Sequence, residues 1–207
     1  MVAHSRTTDI LRRAEQTLRT AEYGLEDLVK GPTDKKLAGL RNLVVFGRAV
    51  TNVLQNLRST EPGFDEWYTK YQEELKSDPL MKYIYELRSR ILKEGLLEVS
   101  TEVHIRRLVF PQDLQRFGRP PPNARGFFIG DNLGGSGWEV QLPDGSIEKY
   151  YVELPSDIGS VSLHFPKPPK SHQGKGIRDS SIETLSRMYI DYLRQMVESA
   201  KKKFKPK

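Results

Sequence analysis

Apolar residues recur every three or four positions from Ile10 to Ile91, and then every second position from Val99 to Ile105. A spacing near 3.6 lines one face of a helix, whereas a spacing of two lines one face of a strand. The chain therefore holds two architectures in succession, helices first and strands after.

The helical part reads as four segments. Ile10, Ala14, Leu18, Ala21, Leu25 and Leu28 make a seam between Ser5 and Lys30, which Gly31-Pro32 brings to an end. From Asp34 to Arg58 the next stripe is Leu37, Leu40, Val44, Gly47, Val50, Leu54 and Leu57. Glycine within a helix costs about 1 kcal/mol relative to alanine, so Gly47 on a core stripe predicts that a neighbour comes close there. A short helix from Phe64 to Lys76 offers Phe64, Trp67, Tyr68, Tyr71 and Leu75 to the core. The fourth begins with Asp78 as cap and Pro79 in the first turn, ends at Gly95, and buries Leu80, Ile84, Leu87 and Ile91. Four helices with short connections predict an antiparallel bundle.

Beyond them, Val99–Ile105, Gly126–Gly130, Trp138–Leu142, Ile147–Leu154 and Val161–Phe165 read as strands, with Pro143-Asp144-Gly145-Ser146 as a hairpin turn. Pro111–Asn123 contains three consecutive prolines and predicts a loop with no regular element. Pro166–Arg178 predicts a long exposed loop. A last helix from Ser180 or Ser181 carries Ile182, Leu185, Tyr189, Tyr192, Met196 and Ala200, a broad stripe that needs the bundle as its partner. The expected fold is mainly α, a four- to five-helix antiparallel bundle with a small antiparallel β-sheet inserted before the last helix, α+β overall. The expected boundaries are 1–96 for the bundle, 97–179 for the β-rich insertion, 180–200 for the last helix and 201–207 for a basic disordered tail. In the alternative grouping, the sheet and last helix form a separate α+β unit.

A chain of 207 residues can bury one sizeable core or two small ones. No run reaches the roughly eighteen apolar residues of a membrane span, and the first residues lack the apolar centre of a secretory signal. There is no cysteine, so disulfide frameworks and thiolate chemistry are excluded. A cytoplasmic protein is expected, with no membrane partner. The formal charge of +6 invites a nucleic-acid reading, but Lys201, Lys202, Lys203, Lys205 and Lys207 supply five of those charges. A basic tail binds polyanions without specificity and does not make the whole chain a nucleic-acid protein.

Arg88, Arg90 and Lys93, near the end of the fourth helix, form the charge cluster suited to gripping a phosphate. Glu86–Arg90 and Arg90–Glu94 are also i,i+4 pairs, the ordinary lacing of a solvated face. Arg41, Asn42 and Arg48 flank the stripe of the second helix and are binding candidates, Arg41 and Asn42 as a second polar layer. The four histidines show no metal-ligand spacing, and no metal or cofactor is expected. His164 is a remote acid–base candidate. The loop Asp131–Gly137 resembles a phosphate cradle only in its glycines. Phe127, Phe128, Trp138, Tyr150 and Tyr151, with Arg125 and Lys149, suit either a base-stacking platform or a core.

An Arg41-Asn42 pair early in one long helix, followed by Leu-Arg-Ser-Arg-Ile-Leu-Lys-Glu from Leu87 to Glu94, resembles the HEPN superfamily of small helical RNases and nucleotide-binding proteins. The resemblance covers about residues 5–95 and the last helix. Members carry an Arg-x-x-x-x-His motif that cuts RNA without metal, in a site completed across a homodimer. Aligned on Arg88, the histidine position is Lys93, and Ser89 follows the arginine. The resemblance implies a homodimer that binds RNA, a nucleotide or a partner protein, with its nuclease chemistry impaired or lost, in a bacterial defence or toxin–antitoxin setting. Two alternatives stand beside it. One is an active metal-independent ribonuclease with Arg88 and Lys93 as catalytic residues, and the other is a structural or interaction protein.

Overall fold

The computed structural model describes residues 2–204, with side chains from Arg6 onward. The chain is mainly α with small antiparallel sheets, and it divides into two compact units. One unit joins the residues up to Leu97 to those from Lys167 onward, and the other is Glu98–Pro166.

In the helical unit, α1 spans Val2–Lys30, α2 Thr33–Leu54, α3 Phe64–Ser77, α4 Pro79–Glu94 and α5 Ile182–Phe204. Past Leu54, α2 tightens into a 3₁₀ segment, Gln55–Ser59, where the periodicity had suggested an unbroken helix to Arg58. The core takes Ile10, Ala14, Leu18, Ala21 and Leu28 from α1 and Leu40, Leu43, Val44, Val50 and Leu54 from α2. It takes Leu80, Ile84, Leu87 and Ile91 from α4, the stripe read from the sequence. Helices α1 and α2 meet backbone to backbone. A Cβ added at Gly24 would stand 2.6 Å from the Gly39 carbonyl oxygen, and one added at Gly39 would stand 2.6 Å from that of Gly24. Only residues without side chains allow that approach.

The end of α5 corrects the expected disordered tail over Lys201–Phe204. The helix continues through Lys201, Lys202 and Lys203 to Phe204, whose ring is buried edge-on against Trp67 at 5.4 Å. Lys201 bonds Glu15 at 2.6 Å and Glu198 at 2.9 Å, and the Trp67 indole N–H donates to Ser199 at 3.0 Å. An aromatic anchor and an ion pair to α1 order a stretch that its lysines alone mark as solvated. Lys205, Pro206 and Lys207 of the expected tail lie outside the described residues.

The boundary of the insertion also shifts. Residues 167–179, grouped by sequence with the strands, belong to the helical unit. Within them Ser171–Gly176 forms a short hairpin held by the helical cap residue Asp78, which accepts from the Gln173 amide at 2.6 Å.

The β unit contains β1 (Ser100–Ile105), β2 (Ala124–Ile129), β3 (Ser136–Gln141), β4 (Ile147–Val152) and β5 (Gly159–His164). They form two sheets, an antiparallel meander β2-β3-β4 and an antiparallel pair β1-β5. Phe117, Trp138 and Ile158 form its core, with Phe127 4.3 Å from Phe117 and 4.9 Å from Trp138. The proline-rich loop is not devoid of structure: Gln112–Phe117 winds into a 3₁₀ segment that delivers Phe117 to this core.

Candidate functional site

Helix α4 is fixed at both ends. The Asp78 carboxylate accepts from the amides of Leu80 at 3.0 Å and Met81 at 3.1 Å, and Gly95 closes the helix at a positive φ of 66°. Asp78 also meets His172 Nδ1 at 3.1 Å. Burial disfavours its charge, but the Gln173 amide, His172 and the Met81 amide outweigh that and hold its carboxyl below the usual range. This network ties the hairpin to α4 and has a complete structural explanation.

Along α4 the expected site residues part company. Arg88 is half-buried, and its Nε is enclosed with no hydrogen-bond partner among the described residues. Arg90 is half-buried and Lys93 is exposed. In a regular helix, five residues of separation turn Arg88 and Lys93 about 140° apart. On α2, Arg41 donates to the Gly95 carbonyl at 2.9 Å, Asn42 is exposed, and Arg48 reaches Thr51 and lies 5.8 Å from the ring centre of Tyr85. The contacts Arg41–Gly95 and Arg48–Tyr85 show that α2 and α4 run in opposite directions. They also place Arg41 and Arg48 at stations about 10 Å apart, so the six expected residues do not converge on one point.

Arg48 and Arg88 share one electrostatic neighbour, Tyr189 of α5. Its phenol is fully buried, which raises its pKa, while both guanidiniums act on it in the opposite direction. Gly47 makes room for it: a Cβ there would stand 2.5 Å from Tyr189 Cε1 and 2.9 Å from its hydroxyl oxygen. The approach expected at Gly47 from the sequence is this ring.

Beside Tyr189 lies a cavity of about 500 Å³. Its cations are Arg48, Lys76 and Lys82, its carboxylate is Glu86, and Tyr68 and Tyr85 also line it. Thr51, Gln55 and Gln72 add neutral donors and acceptors. The volume suits a small molecule or one nucleotide unit, and the excess of positive charge favours an anion. Lys76, Lys82 and Gln72 escaped the sequence reading because each looks like an ordinary solvated helix position. Tyr68 and Tyr189 fall on core stripes by their spacing, and both are buried.

The other candidates resolve into structure. Burial opposes the charge of Asp131, but the Gly135 amide, the Tyr151 hydroxyl at 2.7 Å, Lys149 at 3.0 Å and the Leu133 amide hold its carboxyl low. This loop joins β2 to β3, and its Leu133 and Gly135 amides are spent on the Asp131 carboxylate. Phe127 and Trp138 are core, whereas Lys149 covers Phe128 at 4.9 Å, so the aromatic platform is not assembled. His164 has Ser162 Oγ at 2.9 Å and Glu102 Oε2 at 3.2 Å, both on Nε2. A proton relay needs its nucleophile and its carboxylate on different ring nitrogens, so this trio is not one.

The family model described as bacteriophage lambda protein ea47 matches residues 35–110, less than half of the chain, from α2 to the loop after β1. The chain is similar to that family over this stretch, which contains Arg48, Lys76, Lys82 and Arg88 but not Tyr189. No curated protein and no solved structure matches the chain. No helix among the described residues is long and apolar enough to cross a membrane.

Proposed function

We propose that the helical unit is a non-catalytic, HEPN-like module that binds RNA or a free nucleotide through its phosphate ester, with its helices arranged as one antiparallel bundle. The observation that carries this reading is the cavity beside Tyr189, lined by three cations, Arg48, Lys76 and Lys82, and one carboxylate, Glu86; Arg88 is not in that lining but acts on the same phenol. Arg88 Nε is enclosed with no hydrogen-bond partner among the described residues, and a buried donor of that kind is stabilised by an incoming acceptor. Guanidiniums suit phosphate oxygens, and the Tyr85 ring at the cavity suits a base. Catalysis is set aside because Lys93, at the motif's histidine position, is exposed and turned about 140° from Arg88. A bacterial defence or toxin–antitoxin setting and a homodimer belong to the same reading.

The test is equilibrium binding of nucleoside monophosphates and short single-stranded RNA, with parallel RNA cleavage in chelator. Binding should fall at least about tenfold in Arg48→Ala and in Arg88→Ala. It should persist in Lys202→Gln/Lys203→Gln, which removes exposed basic charge without cutting Phe204 from its packing. Cleavage lost in both Arg88→Ala and Lys93→Ala would establish the active ribonuclease instead. Equal binding by every variant would remove the cavity from consideration.

A further inference from the structure

Among the described residues, β1 pairs with a strand on one edge only. Arg106 N–H donates to the Ile158 carbonyl at 2.8 Å, so in the β1-β5 ladder the even-numbered residues turn their backbone toward β5. Thr101, Val103 and Ile105 turn theirs the other way, where no strand is bonded to them among the described residues. The strand is also unusually apolar for an edge. Val103 is 38% exposed, Ile105 41%, and Phe110 just beyond is 74% exposed. Natural edges are normally blunted by lysine, proline or a covering element; here the Thr101 hydroxyl donates to the Asp131 carbonyl and Val103 packs beside Gly130, while the backbone edge of β1 carries neither lysine nor proline.

The order of side chains says what fits there. Reading outward from His104, Val103 and Ile105 stand on one side of the pleat, and Glu102 and Arg106 stand on the other. Two copies of β1 run antiparallel about a two-fold axis at His104 set Val103 against the partner's Ile105. They also set Glu102 against the partner's Arg106, twice over. A two-fold axis at Glu102 would oppose two carboxylates, and one at Val103 would leave Arg106 facing Ser100. Only the His104-centred register places apolar on apolar and acid on guanidinium together. Glu102 shares one oxygen with His164 and Arg106 gives one N–H to the Ser156 carbonyl, so both retain bonding capacity.

We propose that β1 pairs with β1 of a second copy of this chain, antiparallel and centred on His104, as a self-association surface of the β unit. It stands independently of the nucleotide cavity. Six residues of edge make a small interface, so the expected state is a monomer–dimer equilibrium that shifts with concentration.

The chain has no cysteine, which makes the test direct. In this register His104 faces its own copy as a non-hydrogen-bonded pair, with Cα atoms about 4.5 Å apart, within disulfide reach. Full-length His104→Cys should cross-link readily under mild oxidation, and Tyr150→Cys, exposed on the other sheet, should not. Glu102→Cys and Arg106→Cys should cross-link when mixed and remain uncoupled when separate. By sedimentation, Glu102→Arg should weaken the dimer about tenfold and Glu102→Arg/Arg106→Glu should restore it. Three outcomes overturn the proposal: cross-linking of His104→Cys no faster than Tyr150→Cys, a protein monomeric at every concentration, or a dimer indifferent to Glu102→Arg. Trp138 fluorescence confirms that each variant keeps the β-unit core.

Discussion

The two units each contain a charged cluster beside tyrosine, and the clusters differ in how fully they are satisfied. In the β unit, Asp131 accepts from the Leu133 and Gly135 amides, from Tyr151 and from Lys149. In the helical unit, Arg48 and Arg88 act on one buried phenol, and the Arg88 Nε bonds nothing among the described residues. A network with every donor and acceptor matched holds a fold and has no affinity to spare. A network with an unmatched buried donor costs stability until something completes it. The sign of a mutation's effect should therefore differ between the two.

The largest effect is expected at the saturated cluster. Asp131→Ala leaves two amides and the Lys149 ammonium unmatched, and should destabilise the β unit by about 3 kcal/mol. Denaturant unfolding followed by Trp138 fluorescence in a Trp67→Phe background isolates that unit, since each unit holds one tryptophan. Loss below about 0.5 kcal/mol would mean that Asp131 is not the keystone its bonds suggest.

Next is Gly47→Ala, which drives a methyl against the Tyr189 ring. The clash should cost about 1–3 kcal/mol and helix propensity should return about 1, for a net loss near 1 kcal/mol in the helical unit. Because the ring must move, nucleotide binding should weaken in the same variant. Unchanged binding would separate Tyr189 from the cavity.

Helix α4 was legible because its signals are local: a cap, a proline, a stripe spaced 4, 3 and 4, and a glycine all fall within Asp78–Gly95. The period change near residue 98 located the β unit for the same reason. What escaped depends on contacts between distant residues. Phe204 is ordered by Trp67, and Gln173 by Asp78. Phe117 is drawn out of a proline-rich stretch by Phe127 and Trp138. At the site, Arg48 reads as a charge flanking the α2 stripe and Arg88 as part of the α4 charge cluster, and their common action on Tyr189 depends on α5, which lies far along the chain. Lys76 and Lys82 carried no mark at all, since a lysine at a cavity and a lysine on a solvated face share the same sequence.

Acid titration gives a smaller test that bears on both units. A carboxyl held below its unfolded value of about 3.9 stabilises fully above that pH, and its contribution is lost as pH falls through the folded value. Asp78 and Asp131 are both held low, so each unit should lose stability below about pH 4. The loss should be smaller than on truncation, because a protonated carboxyl keeps its shape and some of its bonds. Asp131→Asn should flatten the acid limb of the β unit and leave that of the helical unit in place.

The smallest change in stability, and the one opposite in sign, is expected at Arg88. Arg88→Met retains an unbranched apolar side chain and removes the enclosed Nε that has no partner among the described residues. Unfolding of the helical unit, followed through Trp67, should show stability unchanged or raised by up to about 1 kcal/mol. Nucleotide binding by the same variant should fall at least about tenfold. A buried arginine whose removal costs several kcal/mol would be one already paired, and Arg88 would then belong with Asp131 as scaffold. Stability held with binding lost is the signature of a side chain that the fold tolerates for its ligand, and no variant of Asp131 should reproduce it.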